Sequence, residues 1–231
     1  MRRAICIGVF VASLVRPGAA RNVPRVQKAA GAPAFARASK PAPIDGIAVR
    51  IESDIITDSQ VEELAAYQKL VSGKSNPRSK VIRELIDQWI VSGEATATQY
   101  PKPSPADVDR ALAQLEKQIG SPADFEKRCA DAGIPERAVR GIFARQIYLS
   151  RFLDFRFRPA AQVDAKQVQT YYQDVLVPEL KAKSDKVPPL NDVEPEIREV
   201  LIQQAIDVLS KQWLDDTRSG LTIDILSQGA G

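Results

Sequence analysis

Two short runs of alternating apolar residues stand at opposite ends of the part of this chain that reads as folded. In "GIAVRIE" (Gly46 to Glu52), Ile47, Val49 and Ile51 fall on one side and Ala48, Arg50 and Glu52 on the other. That period of two is the signature of a strand. Glu52, Ser53 and Asp54 can turn, and Ile55-Ile56 begins a short return. In "LTIDIL" (Leu221 to Leu226), Leu221, Ile223 and Ile225 share one face. A lone hairpin is marginal in water, and an exposed edge invites unwanted pairing. The two runs therefore predict one small sheet, in which the C-terminal strand joins the N-terminal hairpin although Val49 and Ile223 lie 174 positions apart.

Everything between the runs reads as helix. Thr57 and Gln60 have capping-box spacing, and Ile56 and Val61 stand at the two positions of a hydrophobic staple. Within "RSKVIRELIDQWIVSGEA", Ile82, Leu85, Ile86, Trp89 and Ile90 form a one-sided stripe. "SPAD" occurs at Ser104–Asp107 and again at Ser121–Asp124. Each copy offers a Ser cap, a Pro in the first turn and an acid near the positive helix end. The first opens a helix with Val108, Leu112, Leu115 and Ile119 inward; the second opens a short one ending near Gly133. A long helix then starts at Pro135, with apolar residues spread around it from Val139 to Phe155. Such a helix is either surrounded by neighbours or leaves apolar surface exposed. Asp164 and Gln167 cap another helix, carrying Tyr171 and Tyr172. "VPELKAKSDKVPPLNDVEP" reads as a Pro- and Lys-rich connector, the last helix runs from Pro195 to about Ser219, and Gly220 stands at its C′ position. The fold class expected is mainly α: a multi-helix lobe closed by a small β-sheet.

The N-terminus reads as an export signal. Arg2 and Arg3 precede the 12-residue apolar run Ala4 to Val15, and Gly18 to Ala20 supply small residues for cleavage after Ala20. A membrane span needs roughly 20 apolar residues, so the run is too short to anchor the chain. The predicted location is the periplasm, reached through a Sec-type signal. Three segments follow: a signal peptide at 1–20, a flexible basic Ala/Pro-rich linker at 21–44, and one helical domain at 45–231 whose two ends fold together.

Removing the signal leaves 29 basic and 29 acidic residues. Such a balance disfavours nucleic acid as a partner. The linker holds five basic residues and no acid, which allows weak contact with an anionic membrane surface. The chain contains no histidine, which removes Ser/His and Cys/His catalysis and histidine metal sites. No glycine-rich phosphate loop points to a nucleotide, and no cofactor or metal is expected. Cys129 is the one thiol outside the signal, so no intramolecular disulfide forms; it reads as a small buried residue.

The ordered set "GIAVRIESDIITDSQV", "LIDQWI" (Leu85 to Ile90), "PSPADVDRAL", "QVDAKQVQTYY" (Gln162 to Tyr172) and "WLDDTRSGLTIDIL" (Trp213 to Leu226) resembles the periplasmic chaperones of the SurA and foldase type. The resemblance covers residues 45–231. It implies that the N-terminal region and the last helix and strand form one chaperone module. Relatives carry parvulin-type prolyl isomerase domains between the "YY" segment and the last helix. Here only residues 173–194 lie between them, below the ~50 residues of a small domain, and the histidines that parvulin sites use are missing.

The expected function is therefore an ATP-independent chaperone, not an enzyme, that binds unfolded exported or outer-membrane proteins through an apolar and aromatic helical cradle. The candidate client-binding residues are Tyr148, Arg151, Phe152, Phe155, Arg156, Phe157, Tyr171 and Tyr172. Arginine stacks on aromatic rings, and both grip varied sequences. The alternating "RFLDFRFR" run is the stretch expected to be partly exposed. Two alternatives remain: a protein related to peptidyl-prolyl cis-trans isomerases, or an envelope adaptor or scaffold that holds one folded partner. Asp215-Asp216 and Glu62-Glu63 read as solvated surface, because helix neighbours point about 100° apart.

Overall fold

The sheet expected from the two alternating runs is present. A computed structural model describes residues 45–183 and 186–226. The readings of 1–20 as a signal and of 21–44 as a linker lie outside the described residues. Strand β1 (Ile47–Ile51) pairs antiparallel with β2 (Asp54–Thr57) on one side and with β3 (Ile223–Ile225) on the other, giving the order β2-β1-β3. Ile51 lies opposite Ile223, and Val49 opposite Ile225. The two-residue turn holds Glu52 at φ 50°, a left-handed conformation that costs a non-glycine residue about 1–2 kcal/mol. Glu52 also ties the far end of the chain to this turn: its backbone N–H donates to Thr222 O at 3.0 Å, and its Oε1 accepts from Thr222 N–H at 2.7 Å.

One detail of the alternation is corrected. Ala48, expected on the outer side, is fully buried beside Val49. The register shifts between Ile47 and Val49, so Ala48 is the extra residue of a β-bulge. A bulge breaks the period of two and lets consecutive side chains share the core side.

The hairpin feeds α1 (Asp58–Ser72) through the expected junction. Thr57 N–H donates to Gln60 Oε1 at 2.9 Å, and Gln60 N–H returns to Thr57 Oγ1 at 3.4 Å. Ile56 and Val61 are both buried in the main core. A side chain at Gly46 would press on the Asp58 carboxylate, which pairs with Arg78, and push it aside. Helices α2 (Arg78–Ala97), α3 (Pro105–Ile119), α4 (Pro122–Ala132) and α5 (Glu136–Phe157) follow. The α2 stripe is buried at Ile82, Leu85, Ile86 and Ile90, while Trp89 stays at the margin and donates its indole N–H to Asp54. Val108, Leu112 and Leu115 point inward from α3, and Phe125 and Cys129 from α4. Pro135 is the N-cap of α5 and not its first residue.

Helix α5 is the hub, packing against α2, α3 and the last helix, α8 (Leu190–Ser219). Both outcomes allowed by its all-round apolar surface occur at once: Val139 and Phe152 are buried, and Phe155 is exposed. A 3-10 turn (Arg158–Ala160) leads to α6 (Ala165–Tyr171), which opens with the Asp164–Gln167 capping box.

The connector is where sequence and structure part. Its first half continues the helix, through a π-helical segment (Tyr172–Leu176) into α7 (Val177–Ala182). Pro178 has no N–H for the carbonyl of Asp174, and the wider π turn stands just ahead of it. Its second half already belongs to α8 (Leu190–Ser219), which begins five residues before Pro195. Pro195 lies close enough to the N-terminus that the one acceptor it strands, Asn191 O, belongs to an exposed residue. Gly220 closes α8 at φ −93°, without the left-handed turn expected of it.

Candidate functional site

Seven of the eight candidate residues divide into a core set, a paired set and an arm set, and Phe155 stands apart as an exposed ring. Tyr148 and Phe152 belong to the core. They are 8% and 1% exposed, and they pack with Val91, Ala95 and Leu149 between α2 and α5. As positioned they offer no surface to a client. Spacing alone could not have separated Phe152 from Phe155, which is 63% exposed one turn later. The difference comes from α2, α3 and α8 covering three sides of α5.

A residue absent from the sequence-based set joins these aromatics. Tyr100, just beyond α2, places its ring 5.9 Å from Tyr148, 5.5 Å from Phe152 and 5.3 Å from Phe155. Its hydroxyl donates to Arg151 O at 3.1 Å. Tyr100 thus supports one side of the Phe155 ring and leaves the rest to solvent. The only sequence signal was an aromatic between a helix end and Pro101.

The arginines of the "RFLDFRFR" run are engaged with acids. Arg151 reaches Asp107 at 3.0 Å, Arg156 reaches Glu94 at 2.8 Å, and Arg158 spans Asp154 and Glu199 at 2.7 Å each. The Arg151 guanidinium and then the Ser104 cap hold Asp107 well below the usual carboxylate range. Arg158, helped by Gln203, lowers Glu199 to about 2. Arg156 also lies over Trp213, 4.8 Å from the ring centroid, and over Phe157 at 5.6 Å. Phe157 in turn meets Trp213 at 5.8 Å. Arg151 and Arg156 therefore lock α5 to α3 and α2, and Phe157 is half-buried mortar between α5 and α8.

Tyr171 and Tyr172 sit where α6 passes into the π segment. Tyr172 is tied down, its hydroxyl donating to Pro188 O at 2.7 Å. Tyr171 lines an open groove of about 360 Å³, with Lys166, Gln167, Thr170, Asp174, Val175 and Leu201. Partial burial, and then the nearby Glu179, push the Tyr171 phenol above its ordinary value. Its ring therefore presents a neutral, largely apolar face. The groove floor comes from α8, and its walls from α6 and the π segment.

Helix α8 explains the open groove. Ile206 is buried at mid-helix, while Val208, about 200° further around, is 65% exposed. Leu201 and Val208 are seven residues apart and so share a face. Val208 is thus an exposed apolar residue in line with Leu201 on α8, outside the groove itself. Val200 is also exposed, at 40%. The sequence carried this signal, since apolar residues occur all around α8 where one stripe would suffice.

Among the described residues, no group of three or more acids or cysteines is placed to hold a metal ion, and no helix is long and apolar enough to cross a membrane. Cys129 is buried, and burial, with Glu136 next, raises its thiol. Neither a protein-family model nor a curated protein matches the chain.

Proposed function

We propose that the protein is an ATP-independent chaperone for unfolded exported polypeptides, acting by binding alone. The observation that carries this reading is the open apolar groove of Tyr171, Val175 and Leu201, with the exposed Val208 on the same face of α8 as Leu201. A shallow apolar trough suits extended chains of varied sequence, because apolar contacts are non-directional. It lacks the enclosure that makes a small-molecule pocket tight. Phe155, propped by Tyr100, is a second apolar contact point. The likeness of residues 45–231 to SurA-type chaperone modules, with residues 173–194 in place of a catalytic domain, agrees with this reading. Release needs no fuel when each contact is worth only about 1–2 kcal/mol.

The test is suppression of aggregation of a urea-denatured outer-membrane protein. The purified protein is expected to suppress aggregation near one-to-one stoichiometry. The double variant Val175→Ser/Val208→Ser is expected to lose at least half of that effect while keeping its thermal midpoint. No suppression by the unmodified protein sinks the proposal. Acceleration of proline isomerisation in a short peptide sinks the claim that it acts by binding alone.

A further inference from the structure

Among the described strands, β3 is an edge: it pairs with β1 and has no strand on its other side. The register fixes which of its groups face outward. Glu52 N–H donates to Thr222 O, Leu226 N–H donates to Ala48 O, and Arg50 lies opposite Asp224. In an antiparallel ladder, bonded residues alternate. Thr222, Asp224 and Leu226 therefore turn their backbone groups toward β1, while Ile223 and Ile225 turn theirs to the open edge.

The side chains at that edge are equally specific. Ile225 lies opposite the fully buried Val49, so it belongs to the core-facing side of the sheet, yet it is 62% exposed. Ile223, on the same side, is half-buried and packs against the core. The apolar side of the sheet thus runs one residue past its helical cover. On the opposite side, Arg50 and Asp224 face each other and both are exposed. Asp224 has a base on its β1 flank and, among the described residues, no paired strand on the other. The strand is short and carries one charge, Asp224, with no lysine or proline.

We propose that the β3 edge accepts an extended segment of an unfolded polypeptide as a fourth, antiparallel strand. Its preferred sequence is apolar–basic–apolar. The two apolar residues cover Ile223 and Ile225, and the basic residue stands beside Asp224, completing a base–acid–base row across the sheet. Backbone pairing supplies affinity without regard to sequence, and the row supplies a preference. Alternating strands of this kind are how outer-membrane barrel proteins are written, so this inference rests on the proposed function and names what the module would select.

The experiment uses the isotope-labelled protein and the peptide acetyl-Thr-Val-Lys-Val-Thr-amide. Addition of the peptide is expected to shift and slow hydrogen exchange at the amides of Ile223 and Ile225, and to leave that of Asp224 unchanged. N-methylation of the two peptide amides that face β3 is expected to weaken binding about tenfold or more. Glu in place of Lys is expected to weaken it about threefold or more. Equal binding of the N-methylated peptide, or slow exchange of the Ile223 and Ile225 amides before any peptide is added, overturns the proposal; the latter means that the chain covers its own edge. Aggregation suppression without strand addition refutes this inference alone. Strand addition without suppression refutes the chaperone reading and leaves the edge as a docking site.

Discussion

The closure around the sheet and the arm of α6, the π segment and α7 are made from the same kinds of residue but packed to different depths. At the closure, Val49, Ile51, Leu70, Val81 and Phe125 are nearly or fully buried in one continuous core. In the arm, Val168 and Ile197 are buried, while Tyr171 and Val175 remain in an open groove and Val200 is exposed. Stability therefore concentrates where the two ends of the domain join, and adaptable apolar surface collects on the arm. Regions with few buried contacts open locally at lower free energy than the core. A chaperone of extended chains needs both properties, a framework that does not open and a surface that yields.

Cavity-forming substitutions test that division most severely. Phe125→Ala empties a fully enclosed site and is expected to cost about 3–5 kcal/mol, seen as a large fall in the urea midpoint of the whole domain. Ile197→Ala, which removes a buried side chain of the helix that packs against α6, is expected to cost about 2 kcal/mol. Its cost should appear as faster amide exchange confined to α6 and the first turns of α8, with the strands unchanged. If Ile197→Ala lowers protection in β1 by the same amount, arm and closure are one cooperative unit and the contrast collapses.

The ion pairs sharpen the comparison at smaller energies. At the closure, Arg218 bridges Asp87 on α2 and Asp215 on its own helix, with side chains of Arg218 and Asp87 only 20% and 28% exposed. Its Nε is buried without a partner. Burial raises the Asp87 carboxyl from its ordinary value, against the opposing pull of Arg218. Arg218→Met leaves that carboxylate half-desolvated and unpaired. The expected cost at neutral pH is about 2 kcal/mol, between the values for exposed and buried pairs. In the variant the folded-state pKa of Asp87 stands further above its unfolded value. The folded state then binds the proton more readily, so the cost is largest at neutral pH and shrinks as pH falls through that raised pKa. Away from the closure, where the turn ahead of the arm meets α8, Arg158 holds Asp154 and Glu199 with every partner more than a third exposed. Arg158→Met is expected to cost under about 1 kcal/mol and to lose most of that in high salt. Equal costs at both sites, measured by urea unfolding across pH, would break the ranking.

How much of this was legible depends on how local each signal is. The strand pairing, the Thr57–Gln60 box and the Ile56–Val61 staple were readable because each is set by residues within a few positions, or by a strict period. The Ala48 bulge was not, since a one-residue insertion leaves the composition of a strand unchanged. Continuation of the helix through Val175 to Ala182 was hidden by Pro178, which argues for a break unless a π turn precedes it. Among the candidate contacts, Phe152 and Phe155 have the same local grammar and opposite fates. Only the neighbours of α5 decide between them, and those are fixed by the tertiary fold.

The two "SPAD" caps carry this argument to its finest test, since their sequences are the same. In both, the Ser hydroxyl accepts from the Asp N–H, at 3.3 Å for Ser104 and 3.2 Å for Ser121. At the first, Asp107 also accepts from Ser104 N–H at 3.1 Å and from Arg151 of α5 at 3.0 Å. At the second, Asp124 accepts from the Ser121 hydroxyl at 2.6 Å, as Asp107 does from Ser104 at 2.9 Å, but it stays within its own turn. Ser104→Ala and Ser121→Ala are each expected to cost about 1 kcal/mol, the worth of a helix cap wherever it stands. The aspartates should part company: Asp107→Ala is expected to lower the thermal midpoint more than Asp124→Ala, because it also removes the Arg151 tie between α5 and α3. That excess should shrink in high salt, since the Arg151 contact is solvent-exposed and screened. Equal effects of the two aspartates at low salt would mean that the Arg151 contact adds nothing, and that the two caps are as alike in the fold as they are in sequence.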